Sequence, residues 1–259
     1  MDTPTATATE PSARRVEPGR GADWWREGWR LFAASPGTWI AIVVTWMLIP
    51  AALQLAHTIG YLASQFVGPI LTAGVLICAR DQDRGAPLTF ERLFAGFKGG
   101  LLKPLLMLGL INFVLTVAVL ACALLAAVAV LGTDVVMSLL SSDAPDVASL
   151  DFYGIVVALL VATPILLIGF FLISMAFWFA PGLIVVNGMQ PSRAMALSFR
   201  TNLTNIGALV VFDLIGLGFA ILALLTLGLG LFVLGPMMAC GWYATWRDVF
   251  GETPAAVEP

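Results

Sequence analysis

Charge is the scarcest commodity in this chain: Asp, Glu, Lys and Arg together make up 11% of its 259 residues, while 59% are apolar. Soluble domains carry roughly 25% charged residues, and with a mean hydropathy of +0.94 a water-soluble fold is excluded. Histidine occurs once, as His57, beside Gln54 at the end of an apolar run. A metal site needs three or four converging ligands, so His57 reads as a solvated turn residue and no metal or cofactor is expected. Cysteine occurs three times, as Cys78, Cys122 and Cys240, each inside an apolar run and without CxxC spacing. Neither a disulfide framework nor a zinc site is suggested by that pattern.

Catalytic motifs are missing as well. There is no HExxH, no GxSxG and no P-loop, and Ser174 and Ser198 have no histidine nearby in sequence to activate them. The run Leu227-Gly228-Leu229-Gly230 links two apolar segments rather than a strand and a helix, so it reads as a turn and not as a nucleotide loop. The net charge of -3 is sorted along the chain rather than gathered in a basic patch, which excludes nucleic acid as a partner.

What the chain does have is long hydrocarbon. A helical span needs about 20 apolar residues, and six stretches qualify: 37–56, 59–79, 104–131, 152–179, 206–225 and 228–246. The expected fold is therefore all-α, a polytopic membrane helix bundle. Residues 1–21 and 251–259, poor in apolar residues, read as disordered tails flanking a membrane domain over 22–250. Tight outer turns are expected at His57 to Gly60 and at Thr226 to Gly230.

The cations give the bundle a side. All 13 Lys and Arg residues fall in four stretches: Arg14 to Arg30, Arg80 to Lys103, Arg193 with Arg200, and Arg247 after the last run. Short loops rich in Lys and Arg stay in the cytoplasm, so both termini and the loops 80–103 and 181–205 are expected inside a bacterial cytoplasmic membrane. The loop Thr133 to Asp151, with Asp134, Asp143, Asp146 and Asp151 and no cation, is expected outside.

Each inner segment carries a short amphipathic helix. In the first, Trp24, Trp25, Trp29, Leu31 and Phe32 share one face opposite Asp23, Arg26, Glu27 and Arg30. This spacing predicts an interfacial helix, with Trp24, Trp25 and Trp29 at the headgroups and Arg26 and Arg30 reaching anionic lipid. The second sets Phe90, Leu93, Phe94 and Phe97 against Glu91, Arg92 and Lys98, with a bend at Gly99-Gly100. The third begins at Pro191, with Met195, Ala196 and Phe199 opposite Arg193 and Arg200. One helix followed by two spans hints at an internal repeat. Gly68-Pro69, Gly74 and Arg80-Asp81 recur at identical spacing as Gly235-Pro236, Gly241 and Arg247-Asp248.

An ionisable group deep in a span is a functional candidate, because keeping it there costs a few kcal/mol. Asp213 is that residue, roughly 10 Å along its helix from the inner boundary at 1.5 Å per residue. Asn112 and Thr116 on the third span, Thr45 on the first, or a water are its expected partners. Two roles stay open: a hydrogen-bonded Asp that ties helices together, or a group handling ions or protons.

Phe177-Trp178-Phe179-Ala180-Pro181, Gln190-Pro191, Ala194, Leu197-Ser198-Phe199 and Asn205-Ile206-Gly207-Ala208, with the ending Tyr243, Trp246-Arg247-Asp248-Val249-Phe250, resemble the signature of an uncharacterised family of six-span inner-membrane proteins in Gram-negative bacteria. The layout is similar, more distantly, to the membrane domain that accompanies some bacterial glycerophosphodiester phosphodiesterases. The soluble phosphodiesterase domain has no counterpart here. The resemblance implies fold and location and carries over no functional residues.

Two functional classes follow. The first is a non-catalytic protein organising lipid, anionic headgroups, a membrane protein partner or a homo-oligomer, motivated by the three amphipathic helices. The second is a small-solute or ion carrier or channel with Asp213 on its pathway. An intramembrane enzyme ranks below both, because no nucleophile, base and orienting group can be assembled.

Overall fold

The computed structural model describes residues 11–132 and 152–251, and among these every regular element is a helix. The chain runs through α1 (Arg20–Ala34), α2 (Pro36–Gln54), α3 (His57–Asp83), a 3-10 helix (Phe90–Phe97) and α4 (Leu102–Leu131). It continues with α5 (Phe152–Trp178), α6 (Ala180–Asn187), α7 (Pro191–Thr204), α8 (Ile206–Leu225) and α9 (Leu231–Phe250). The second amphipathic segment is thus a 3-10 helix, and its bend falls at Gly99 with φ +64°. The expected outer loop Thr133 to Asp151, residues 1–10 and residues 252–259 lie outside the described residues.

Prolines and glycines punctuate this order. Pro36 and Pro191 open α2 and α7, where a missing N–H costs nothing. Gly188, at φ +63°, closes α6 by donating its N–H to the Ile184 carbonyl. Between α8 and α9, Leu227 and Gly228 take φ +56° and +85°, and Thr226 Oγ1 receives the Gly230 N–H at 2.8 Å. The turn expected at His57 to Gly60 is displaced slightly: α3 already begins at His57, itself at φ +54°.

Five helical stretches are long and apolar enough to cross a membrane: Pro36–Gln54, His57–Asp83, Gly99–Leu131, Gly154–Asn187 and Ile206–Leu225. The chain is an integral membrane protein. The sixth expected span corresponds to α9, a 20-residue helix that is not among those five. Its C-terminal half is instead part of the protein core: Cys240, Tyr243, Ala244, Trp246 and Val249 are buried together with Ile70, Leu71 and Ala73 to Ala79 of α3. By contrast α4 and α5 expose most of their apolar side chains, as helices facing hydrocarbon do.

The three amphipathic helices are seated in one cyclic pattern. The 3-10 helix lies on α3, α7 lies on α5 and α6, and α1 closes the ring on α8 and α9. Each therefore packs on the spans that precede it, with α1 returning to the last pair. The repeated glycines make two of these seats. A Cβ on Gly74 would come 1.8 Å from the Leu93 carbonyl oxygen of the 3-10 helix. On the other side of the repeat, a Cβ on Gly28 of α1 would meet the Gly241 amide at 2.9 Å and the Met237 carbonyl at 2.6 Å. The aspartates that end the two repeats match as well: Asp81 pairs with Arg92 of the 3-10 helix at 3.3 Å, and Asp248 with Arg20 of α1 at 2.7 Å. The third seat is made otherwise, by Ser198 Oγ, which donates to the Met175 carbonyl at 2.8 Å and accepts from the Phe179 N–H at 2.9 Å.

Gly74→Ala should lower stability by about 1–3 kcal/mol, because the added methyl meets backbone rather than a movable side chain. Gly68→Ala, one and a half turns away with no atom within 4 Å of its Cβ position, should be neutral or slightly stabilising. Thermal unfolding of the two variants in the same detergent measures the contrast.

Candidate functional site

Two polar features stand out against the apolar bundle: a buried charge cluster where α1, α3 and α9 meet, and a pair of cavities deeper in the spans.

In the cluster, Arg247 donates to Asp83 and to Glu27. Asp83 also receives Arg30 and, at 3.2 Å, the Tyr243 hydroxyl. Next along α9, Asp248 accepts from Arg20 Nε at 2.7 Å, Trp24 Nε1 at 3.0 Å and Arg14 at 2.6 Å. The side chains of Asp83, Arg247 and Asp248 are 2%, 9% and 9% exposed, so none is satisfied by water alone. Burial works to raise the Asp248 carboxyl, but the bonds from Arg20 and Trp24 and the charges of Arg20 and Arg14 hold it below the usual carboxylate range. Arg20 is raised in turn, chiefly by its bond to Asp248.

This cluster corrects the expectation for α1. Trp24 is fully buried and Trp25 is 4% exposed. Trp25 stacks on Phe212 of α8 with centroids 4.8 Å apart and donates Nε1 to the Phe212 carbonyl at 2.9 Å. Both are covered by protein. A signal in the sequence foretold this: Gly21 and Gly28 share the tryptophan face, and a Cβ on Gly21 would lie 2.4 Å from the Ala208 carbonyl oxygen. Glycines at that spacing serve backbone contact between helices, whereas a helix resting on headgroups has no use for them. Trp29 remains 51% exposed, Arg26 is exposed beside Asp23, and Arg30 reaches across to Asp83.

The N-terminal segment is docked too. The Arg14 N–H donates to the Val249 carbonyl at 2.9 Å, the Val16 N–H to Asn205 Oδ1 at 2.8 Å, and Asn205 Nδ2 to the Arg14 carbonyl at 3.2 Å. Over 14–16, therefore, the chain is bound to α9 and the α7–α8 junction rather than forming the expected disordered tail.

Asp213 sits on α8 as anticipated, but with other neighbours. Asn112 and buried Thr116 belong to α4, which packs on α3 and α5, and Thr45 belongs to α2. Asp213 instead borders a cavity of about 170 Å³ between α5, α7 and α8, whose other polar walls are Ser174 and Asn202. Asn202 is tied down, donating Nδ2 to the Met175 and Ser198 carbonyls, both at 2.9 Å. Ser174 and Trp178 are also walls of a second cavity, of about 230 Å³, between α2, α3, α5 and α9. Trp46, Phe177 and Trp242 line it. Trp46 Nε1 donates to Thr72 Oγ1 at 3.2 Å and Trp242 Nε1 to the Trp178 carbonyl at 2.9 Å. The Trp178 indole N–H is buried and finds no acceptor among the described residues. The two cavities share Ser174 and Trp178 of α5 as walls.

Comparison with known proteins agrees with the membrane character. The chain is 28% identical over 257 residues to a probable inner membrane protein of Burkholderia thailandensis, an alignment covering 91% of this chain and 93% of that protein. No family model matches, and no solved structure does. The likeness to the phosphodiesterase-associated membrane domain finds no support among these comparisons.

Asp248→Asn should cost roughly 1–3 kcal/mol, the range for hydrogen bonds to a charged group. Because the folded carboxyl titrates below the unfolded value of about 4, its contribution is whole above that pH and is lost as pH falls through the folded value. Stability measured against pH should therefore show an acid-dependent component in the parent that is reduced in the Asn variant.

Proposed function

We propose that this is a non-catalytic, six-span protein of the bacterial inner membrane, with α9 as the sixth span and both termini in the cytoplasm, that takes a small solute into the paired cavities between its spans. The observation that carries the solute reading is the placement of Asp213 on a cavity that shares Ser174 and Trp178 with an aromatic chamber. Asp213 is exposed on α8 at the edge of that cavity; a carboxyl kept only to tie helices together would be expected against a neighbouring helix, and its retention without one favours a role in binding or passage. The inner-membrane assignment draws on the Burkholderia relative's printed name together with the apolar spans. The orientation draws on the sorting of cations.

A solute reading requires that the chamber take up molecules saturably. Neopentylbenzene, a neutral aromatic hydrocarbon, titrated into the full chain in nanodiscs should give a saturable change in tryptophan fluorescence. Ala239→Phe, which fills the chamber from the α9 wall, should abolish that saturation. A linear response in the parent both to neopentylbenzene and to its charged isostere, as for simple partition into lipid, would count against the reading. For orientation, a cysteine introduced at Ser141 should react with an impermeant maleimide in intact cells, and one at Arg84 only after permeabilisation; the reverse pattern would overturn the topology.

The other reading, lipid organisation at the cytoplasmic leaflet, is favoured by one local feature, the exposed Trp29 beside Arg26 and Arg30. It predicts that Trp29→Ala with Arg26→Ala reduces the anionic phospholipid that co-purifies with the protein. Unchanged lipid content would remove it.

A further inference from the structure

The chamber's walls are chemically uneven in a way that selects a ligand class. Its aromatic side is made by Trp46, Trp178, Trp242 and Phe177, contributed by three different helices. Trp46 and Trp242 have their indole N–H groups engaged on Thr72 and on the Trp178 carbonyl, so what they offer to the chamber is carbon surface. Electron-rich ring surface attracts a cation, most strongly when the cation is desolvated, and assemblies of aromatic rings of this kind suit alkylated ammonium groups. Among the described residues, no Lys, Arg or His lines either cavity, and the one ionisable wall is the carboxyl of Asp213.

We infer that the paired cavities bind an organic ammonium cation with apolar substituents, its alkylated nitrogen among Trp46, Trp178 and Trp242 and its charge balanced by Asp213. This rests on the reading above that the cavities take up a solute, and it names that solute's class. An anion would find one buried donor, the Trp178 N–H, but no cation, and would face the Asp213 carboxylate and ring faces of its own sign. A neutral hydrocarbon would gain nothing from Asp213. A small hydrated metal cation would have to give up its water for walls that are almost entirely carbon. An alkylammonium suits both halves of the site, because its charge is spread over methyl or methylene groups that hydrate weakly and pack against rings. Since Asp213 is exposed on α8, its side is also where such an amphiphile enters from the bilayer.

Benzyltrimethylammonium and neopentylbenzene have the same shape and differ in one atom, a quaternary nitrogen in place of a carbon. With the full chain in nanodiscs, benzyltrimethylammonium should bind saturably and at least tenfold more tightly than neopentylbenzene, after correction for partition into protein-free nanodiscs. Asp213→Asn should weaken the cation about tenfold and leave the isostere unchanged. The comparison of the two ligands on the parent protein decides the matter even if the variant does not fold. Saturable binding of neopentylbenzene with no advantage for the cation would overturn the ammonium assignment and leave the solute reading standing. Saturation by neither would remove both.

Discussion

Charge that cannot reach water is the constraint on which this bundle is built. Asp83, Arg247 and Asp248 end α3 and α9 where those helices are enclosed by protein, and an unpaired charge there would cost several kcal/mol. Their partners come from α1 and the segment before it: Glu27 and Arg30 for the Arg247–Asp83 pair, Arg20 and Arg14 for Asp248. Satisfying α9 therefore means bringing the first helix to it. Once α1 is there, Trp24 and Trp25 are covered by α8 and α9, and the chain is closed end to end at its Arg-rich side.

Glycine makes that closure geometrically possible. Gly21, Gly28 and Gly241 bring α1 against the backbones of α8 and α9, and Gly74 does the same for the 3-10 helix on α3. In hydrocarbon, where apolar side chains gain nothing from leaving lipid, close backbone contact and buried polar pairs are what distinguish one packing from another. The packing is tight at the Arg-rich end and looser along α5 and α8, and the cavity that Asp213 lines lies in that looser region. The same arrangement that anchors the bundle leaves room between its spans.

Much of this was legible in the sequence because hydrocarbon imposes length. Helix α8 matches the expected bounds of 206–225, and the other expected spans lie within a few residues of theirs. Of the residues that recur, Gly74 and Asp81 of α3 and Gly241 and Asp248 of α9 each seat an amphipathic helix beside a paired aspartate, a purpose that required three dimensions. The amphipathic face of α1 was read correctly and its partner was not: periodicity shows that a face is buried, but lipid and protein present the same apolar demand, and only Gly21 and Gly28 argued for protein. Asp213 was recognisable by its depth alone. Its neighbours were not, since helix order around a bundle is set by contacts far apart in sequence, and these place Ser174 and Asn202 beside its cavity while Asn112 and Thr116 lie on another helix.

The account turns on α1 being a core element held by ion pairs rather than a helix floating at the headgroups. Hydrogen–deuterium exchange of the full chain in nanodiscs reads this directly, without altering a residue. Amides over 24–32 of α1 should exchange as slowly as those over 75–79 of α3. Exchange over 24–32 as fast as in the 84–89 connection would contradict it.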